Sequence, residues 1–204
     1  MQNTRSLLKY FLILSSFIEG GCLMAFEITS IKIYTPYLGA SIYVWTSILT
    51  ITLAGLACGY WAGGVFSKSG SLKKLGMSYL IAGTLVFFST HIAKFLLPSL
   101  ANVEIKSASL LAGFFILFFP IFFMGTISPL IVKFLDRCAN QLGRSSGIVY
   151  GVGTVGGIFF VMLAVYCFIP LLGVRITSFL LGALLLIIGL ILTVYKLPAS
   201  DEKK

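Results

Sequence analysis

Glu19 and Glu27 lie within the first apolar run of this chain, and His91 and Lys94 within the third. An ionisable side chain at the centre of a bilayer costs about 2.5 kcal/mol or more, so these residue types in such runs point to a cation path, a proton relay or an ion pair. On a helix, Glu19 and Glu27 stand about 80° apart around the axis and line one broad face. They are candidates to hold a cation, such as a polyamine or a proton, in an internal cavity. His91 and Lys94 sit one turn apart. Counting about 1.5 Å per residue from Lys9 and from Lys74 places Glu27 and His91 near the same membrane boundary. That predicts a meeting of Glu27 with His91 or Lys94, directly or through water. The structural alternative makes Glu27 an ion-pair member and Glu19 a neutral, hydrogen-bonded acid, with Lys94 snorkelling outward.

Other chemistry is thinly supplied. There is 1 histidine and there are 6 acidic residues, of which Asp201 and Glu202 fall in the tail. Ser128 precedes Pro129 but has no base nearby in sequence. Cys22, Cys58, Cys138 and Cys167 are scattered without the spacing of a zinc or haem motif. We therefore expect no catalytic residue, no metal site, no cofactor and no enzyme activity from this chain by itself.

The elements that must position these residues are membrane helices. The 204 residues are 58% hydrophobic and 10% charged, with mean hydropathy +1.04. Soluble domains carry about 25% charged residues, so polar surface is too scarce to clothe this chain in water. A span needs about 20 residues to cross some 30 Å of hydrocarbon. Six runs qualify: about 7–31, 42–66, 76–97, 107–132, 147–172 and 176–195. The first reads as a retained signal-anchor helix, since no small-x-small cleavage site follows a short apolar core. The expectation is an all-α polytopic membrane protein of about six transmembrane helices, forming one integral-membrane domain over 1–204.

Charge sets the orientation. Arg5, Lys9, Lys68, Lys73, Lys74, Lys133, Arg137, Arg144, Lys196, Lys203 and Lys204 share one side of such a layout, and Lys32, Lys94, Lys106 and Arg175 the other. The positive-inside rule places both termini in the cytoplasm. It also absorbs the formal charge of +9, which would otherwise suggest nucleic acid. Lys68, Lys73, Lys74, Lys133, Arg137 and Arg144 are topology determinants and anionic-lipid contacts, or a docking surface for an acidic cytoplasmic partner.

Pro36–Gly64 is the most patterned stretch. A Pro/Gly turn and the aromatics Tyr37, Tyr43 and Trp45 open it, and Gly55, Gly59 and Gly63 recur at intervals of four. Tyr34 would join these aromatics at the outer interface. Glycines so spaced let helix backbones approach closely. Gly147 with Gly151, and Gly153 with Gly157, repeat the device in the fifth run. Pro120 and Pro129 each remove a backbone donor, which predicts a kink in the fourth.

Pro36–Gly64, Met124–Leu135 (MGTISPLIVKFL) and Gly143–Thr177, with its glycine-rich helix and Pro-Leu-Leu-Gly exit, resemble the membrane region of the bacterial fused major-facilitator-like/spermidine-synthase proteins. The resemblance keeps its order along nearly the whole chain. The loop Gly63–Gly76 also loosely resembles the loop between helices two and three of major-facilitator transporters, without the usual acidic residue. The family implies an aminopropyltransferase-like domain after the membrane region. None is read before Lys204, so spermidine synthesis is not expected of this chain alone.

Two functions follow, ahead of a third, a membrane enzyme with a lipid-phase substrate, for which no catalytic cluster is read. One is a membrane module of the bacterial inner membrane that anchors or assembles with a partner, either a synthase-like cytoplasmic protein or other subunits of a membrane complex. The other is a small-molecule or polyamine transporter acting as an oligomer, with Glu19 and Glu27 in a cavity. The partners expected are the lipid bilayer, further subunits or a homo-oligomer, and no nucleic acid.

Overall fold

The computed structural model describes residues 2–67, 72–139 and 141–194, with side chains for 7–67, 72–136 and 141–194. Lys68, Lys196, Lys203, Lys204 and the side chains of Arg5 and Arg137 lie outside the described residues. Those described are helical almost throughout, and no strand occurs among them. Among the described residues, five helices are long and apolar enough to cross a membrane. They are α1 (Gln2–Leu38), α2 (Ile42–Phe66), α3 (Leu72–Leu100), α4 (105–139) and α5 (142–194). Their outer faces are apolar: Phe95 is 83% exposed, Trp61 77% and Ile42 75%. Helices of this length with such surfaces fit a multi-pass membrane protein.

Helix α1 runs past the expected end near Ile31 to Leu38, with Pro36 inside it. The turn falls at Gly39, whose φ of 74° suits glycine, and not at Pro36. Thr35 Oγ1 donates to Ile31 O at 2.7 Å and Gly39 N to Thr35 O at 3.0 Å, so the helical ladder carries through. Ser41 then caps α2 by accepting from Val44 N.

The proline signal in α4 resolves into a π turn rather than a plain kink. Phe114–Phe118 is π-helical and ends two residues before Pro120. A proline lacks the N–H owed to the carbonyl four residues back and its ring crowds that carbonyl. Widening the turn around Ile116 relieves both. The same arrangement recurs in α5, where the π turn Ala164–Phe168 ends two residues before Pro170. Pro129 lies within the regular segment Phe119–Ala139.

Helix α5 is broken at Gly173, whose φ of 81° and ψ of 164° lie where only glycine is comfortable. Its two arms, 142–172 and 174–194, pack on different neighbours. Ser16 meets Val149, Gly20 meets Gly153 and Met24 meets Gly157. The N-terminal arm is therefore parallel to α1. Gly76 meets Thr193, Gly83 meets Gly182 and His91 meets Arg175, so the C-terminal arm is antiparallel to α3. Helices α2 and α4 run parallel, since Ser47 bonds Ser109 at 2.8 Å and Gly63 abuts Thr126. Helix α3 is antiparallel to α4, with Ser78 bonded to Thr126 at 2.8 Å and Ile92 near Phe115.

Helix α1 occupies the centre and touches every other helix. Tyr79 Oη donates to Ser15 O at 2.9 Å and Ser16 Oγ to Val149 O at 2.9 Å. Such interhelical bonds average about 0.6 kcal/mol in membrane proteins, so close packing must supply most of the cohesion. The glycines show where. A β-carbon at Gly59 would lie 2.9 Å from Gly125 Cα, and one at Gly63 2.8 Å from Thr126 Cα. With Gly55 against Ile121, the expected face of α2 packs along α4. Gly157 packs on Met24, while a β-carbon at Gly153 would make only ordinary contact with Ser16. Gly147 and Gly151 meet no atom within 4 Å, so in this chain they line no helix contact. Gly20 and Gly156, absent from the sequence reading, make the tightest approaches between α1 and α5, to Gly153 and Phe17. Tyr34, expected at the outer interface, is fully buried instead.

Candidate functional site

Helix α2 and the N-terminal arm of α5 both lean on α1 and stand apart from each other, leaving a groove floored by α1 and α4. The close approach of Gly20 to Gly153 fixes the arm beside α1 without filling the space above Glu19. Glu19 is 3% exposed and lies on the groove floor. Ser128 Oγ, from α4, donates to Glu19 Oε2 at 3.3 Å. This gives Ser128 a role other than nucleophile.

The groove holds about 410 Å³, within the range of about 300–1,000 Å³ typical of small-molecule sites. Tyr60 and Tyr150 face each other across it edge to face, ring centroids 5.9 Å apart. Beyond them the walls are apolar except for Thr154: Leu23, Met24 and Leu56, then Ile158, Val161 and Met162 along α5. Among the described residues, no lysine or arginine lines the groove. A buried carboxyl with a hydroxyl donor, two aromatic rings and no basic neighbour can receive a cation. No group of three or more His, Cys, Asp or Glu capable of holding a metal occurs among the described residues.

Glu27 is not part of this groove. It is 8% exposed and turns toward Thr52 of α2. Glu27 Oε1 and Thr52 Oγ1 nevertheless both lack a partner within hydrogen-bonding distance. No hydrogen bond or ion pair joins Glu27 to His91 or Lys94 among the described residues. Depth matching brought the two levels together but cannot say which way a side chain rotates, and α1 presents Glu27 to α2.

His91 belongs to a different cluster. Arg175 Nη2 lies 3.2 Å from His91 Nε2, so the guanidinium donates to that nitrogen. The imidazole stacks on Phe179 at 5.5 Å, and Arg175 lies 5.4 Å from the same ring. Sequence reasoning missed Arg175 and Phe179 here. The signal was available in the antiparallel pairing of the third and sixth runs, which sets Arg175 level with His91. Lys94 is exposed, as a snorkelling lysine would be.

Lys9, Lys73, Lys74, Lys133 and Arg144 gather at the end of the bundle shared by the start of α1, α3 and α5 and the finish of α2 and α4. Lys74 Nζ lies 5.9 Å from the Phe66 ring centroid. Asp136 is the one acid at this end among the described residues. Lys106 sits at the opposite end, 3.7 Å from Glu104 and over the Tyr43 ring.

No protein family matches the chain, and neither does any curated protein or solved structure.

Proposed function

We propose that the chain is a six-crossing module of the bacterial inner membrane, with both termini cytoplasmic, that binds an organic cation in the Glu19 groove and carries it as part of a larger assembly. The buried Glu19 carboxyl on the floor of a ligand-sized groove is the observation that carries this reading. An ionisable group so placed is expensive unless used. The opposed arms of α5, each packed along another helix, support counting that helix as two crossings. The basic end favours the cytoplasmic side. The likeness of Pro36–Gly64 and the two later motifs to the membrane region of fused major-facilitator-like/spermidine-synthase proteins agrees with six crossings as half of a carrier, to be completed by a second copy or another subunit.

Flux of a radiolabelled alkylammonium into proteoliposomes tests the reading. Glu19→Gln is expected to abolish protein-dependent flux and Glu27→Gln to retain it. Equal flux in wild type and Glu19→Gln would remove the groove from function. A second reading is anchorage of a synthase-like cytoplasmic protein, favoured by the five basic side chains around Asp136 at one end. Co-purification of an acidic soluble partner, lost when Lys73, Lys74, Lys133 and Arg144 are changed to Gln, would support it over the carrier.

A further inference from the structure

We propose that the groove selects an amphiphilic monoamine, with one ammonium head at Glu19 and an apolar tail lying along α5, and that it enters sideways from the bilayer. This rests on the reading of the groove as an organic-cation site and names its ligand class. Among the described residues, the groove contains one carboxylate. Glu27, the other intramembrane acid, faces Thr52 outside it. A second ammonium in the same groove would have no counter-ion, which weakens binding by roughly fifty-fold or more. A polyamine is therefore the wrong occupant, although a pair of glutamates on one helix face had suggested one.

The distribution of polar groups gives the orientation. Glu19, Ser128, Tyr60 and Tyr150 cluster at one end of the groove. From Tyr150 to Met162 the α5 wall continues for about 18 Å at about 1.5 Å per residue, lined by Ile158 and Met162 and faced by Met24. That wall offers a tail mainly dispersion contacts, since its one hydroxyl, Thr154, already donates to Tyr150 O at 2.8 Å, and methionines adapt to varied tail shapes. The polar end lies toward Lys9 and Arg144, so the head points to the basic side and the tail toward the opposite end of the bundle. Met24 belongs to the central helix yet is 39% exposed, and Ile158 and Met162 are 62% and 55% exposed. The groove is thus open along its side between α2 and α5, at a depth where lipid tails lie.

Calorimetric titration of the full chain in lipid nanodiscs, corrected with empty nanodiscs, tests this with three probes of equal carbon count. Hexylamine is expected to bind, and hexane-1,6-diamine and hexan-1-ol to bind at least about tenfold more weakly. Glu19→Gln should weaken hexylamine by about tenfold or more, and Glu27→Gln should leave it unchanged. Ile158→Trp, at an exposed wall position, should weaken hexylamine while sparing methylamine, and it keeps the test open if Glu19→Gln fails to fold. Diamine binding equal to or tighter than hexylamine, and dependent on Glu19, would overturn the monoamine proposal while leaving a cation site. Absence of binding by either amine would overturn the cation site as well.

Discussion

Gly59→Ala places a methyl group where the structure has backbone on the far side. The new β-carbon would lie 2.9 Å from Gly125 Cα and closer still to the Phe122 carbonyl. Neither can swing aside as a flexible side chain would, so α2 and α4 must separate along the stretch from Gly55 to Gly63. Overpacking of this kind costs about 1–3 kcal/mol. The gain in helix propensity from Gly to Ala offsets up to about 1 kcal/mol of it, leaving a net loss of up to about 2 kcal/mol. Gly147→Ala is the matched control, because a β-carbon there meets nothing within 4 Å and only the propensity gain remains. Unfolding of both variants in the same mixed micelles, followed by tryptophan fluorescence across an SDS titration, should separate them by about 1–3 kcal/mol, with Gly59→Ala the less stable. A gap below about 0.5 kcal/mol, within the scatter of independent sites, would refute the α2–α4 contact as the source of cohesion.

Gly173→Ala forces an L side chain into a backbone region that costs about 1–3 kcal/mol. It should lower the unfolding midpoint by a corresponding amount, whereas Gly143→Ala, a helical site where a β-carbon would meet nothing within 4 Å, should not. Arg175→Lys keeps the charge but loses the flat guanidinium over Phe179 and the contact with His91. A stability loss of about 0.5–1 kcal/mol is expected in the same titration, and a loss equal to that of Arg175→Leu would show that shape, not charge, matters there. Single cysteines at Lys73 and Lys106 in a cysteine-free background should label from opposite sides of sealed inverted and right-side-out vesicles. Labelling from one side would contradict the alternation of the bundle.

Much of the scaffold was legible because lipid simplifies the code. Apolar length alone marks a crossing, and α2 was bounded at Ile42–Phe66 from sequence. The face formed by Gly55, Gly59 and Gly63 was legible because spacing by four fixes a face whatever the partner. Gly147 and Gly151 show the limit of that rule, since spacing says a face is smooth and not that a helix lies on it. Pro36 misled because it denies only Lys32 O its backbone donor while Gly39 N still bonds Thr35 O, so the helix carries past it and Gly39 held the turn instead. The end of α1 at Leu38 was obscured by Lys32, whose long side chain can leave the membrane without ending the helix.

The site was half legible. Intramembrane cost singled out Glu19, and depth alone placed Glu27 and His91 on one level. The rotation of α1 among its neighbours then sent Glu19 to Ser128 and Glu27 to Thr52, and one sequence carries no signal for that rotation. Tyr60 and Tyr150 come together from segments far apart in sequence, across a groove beside the Gly20–Gly153 contact.

The position of a bound amine tests the Glu19 groove most directly. A photoreactive aliphatic amine, its diazirine midway along the tail, can be cross-linked to the protein in nanodiscs and the labelled peptides mapped. Labelling is expected between Val149 and Met162 and at Met24, suppressed by Glu19→Gln. Labelling confined to the shallow outer groove of Ile92, Phe95, Leu96 and Phe115, unaffected by Glu19→Gln, would contradict it.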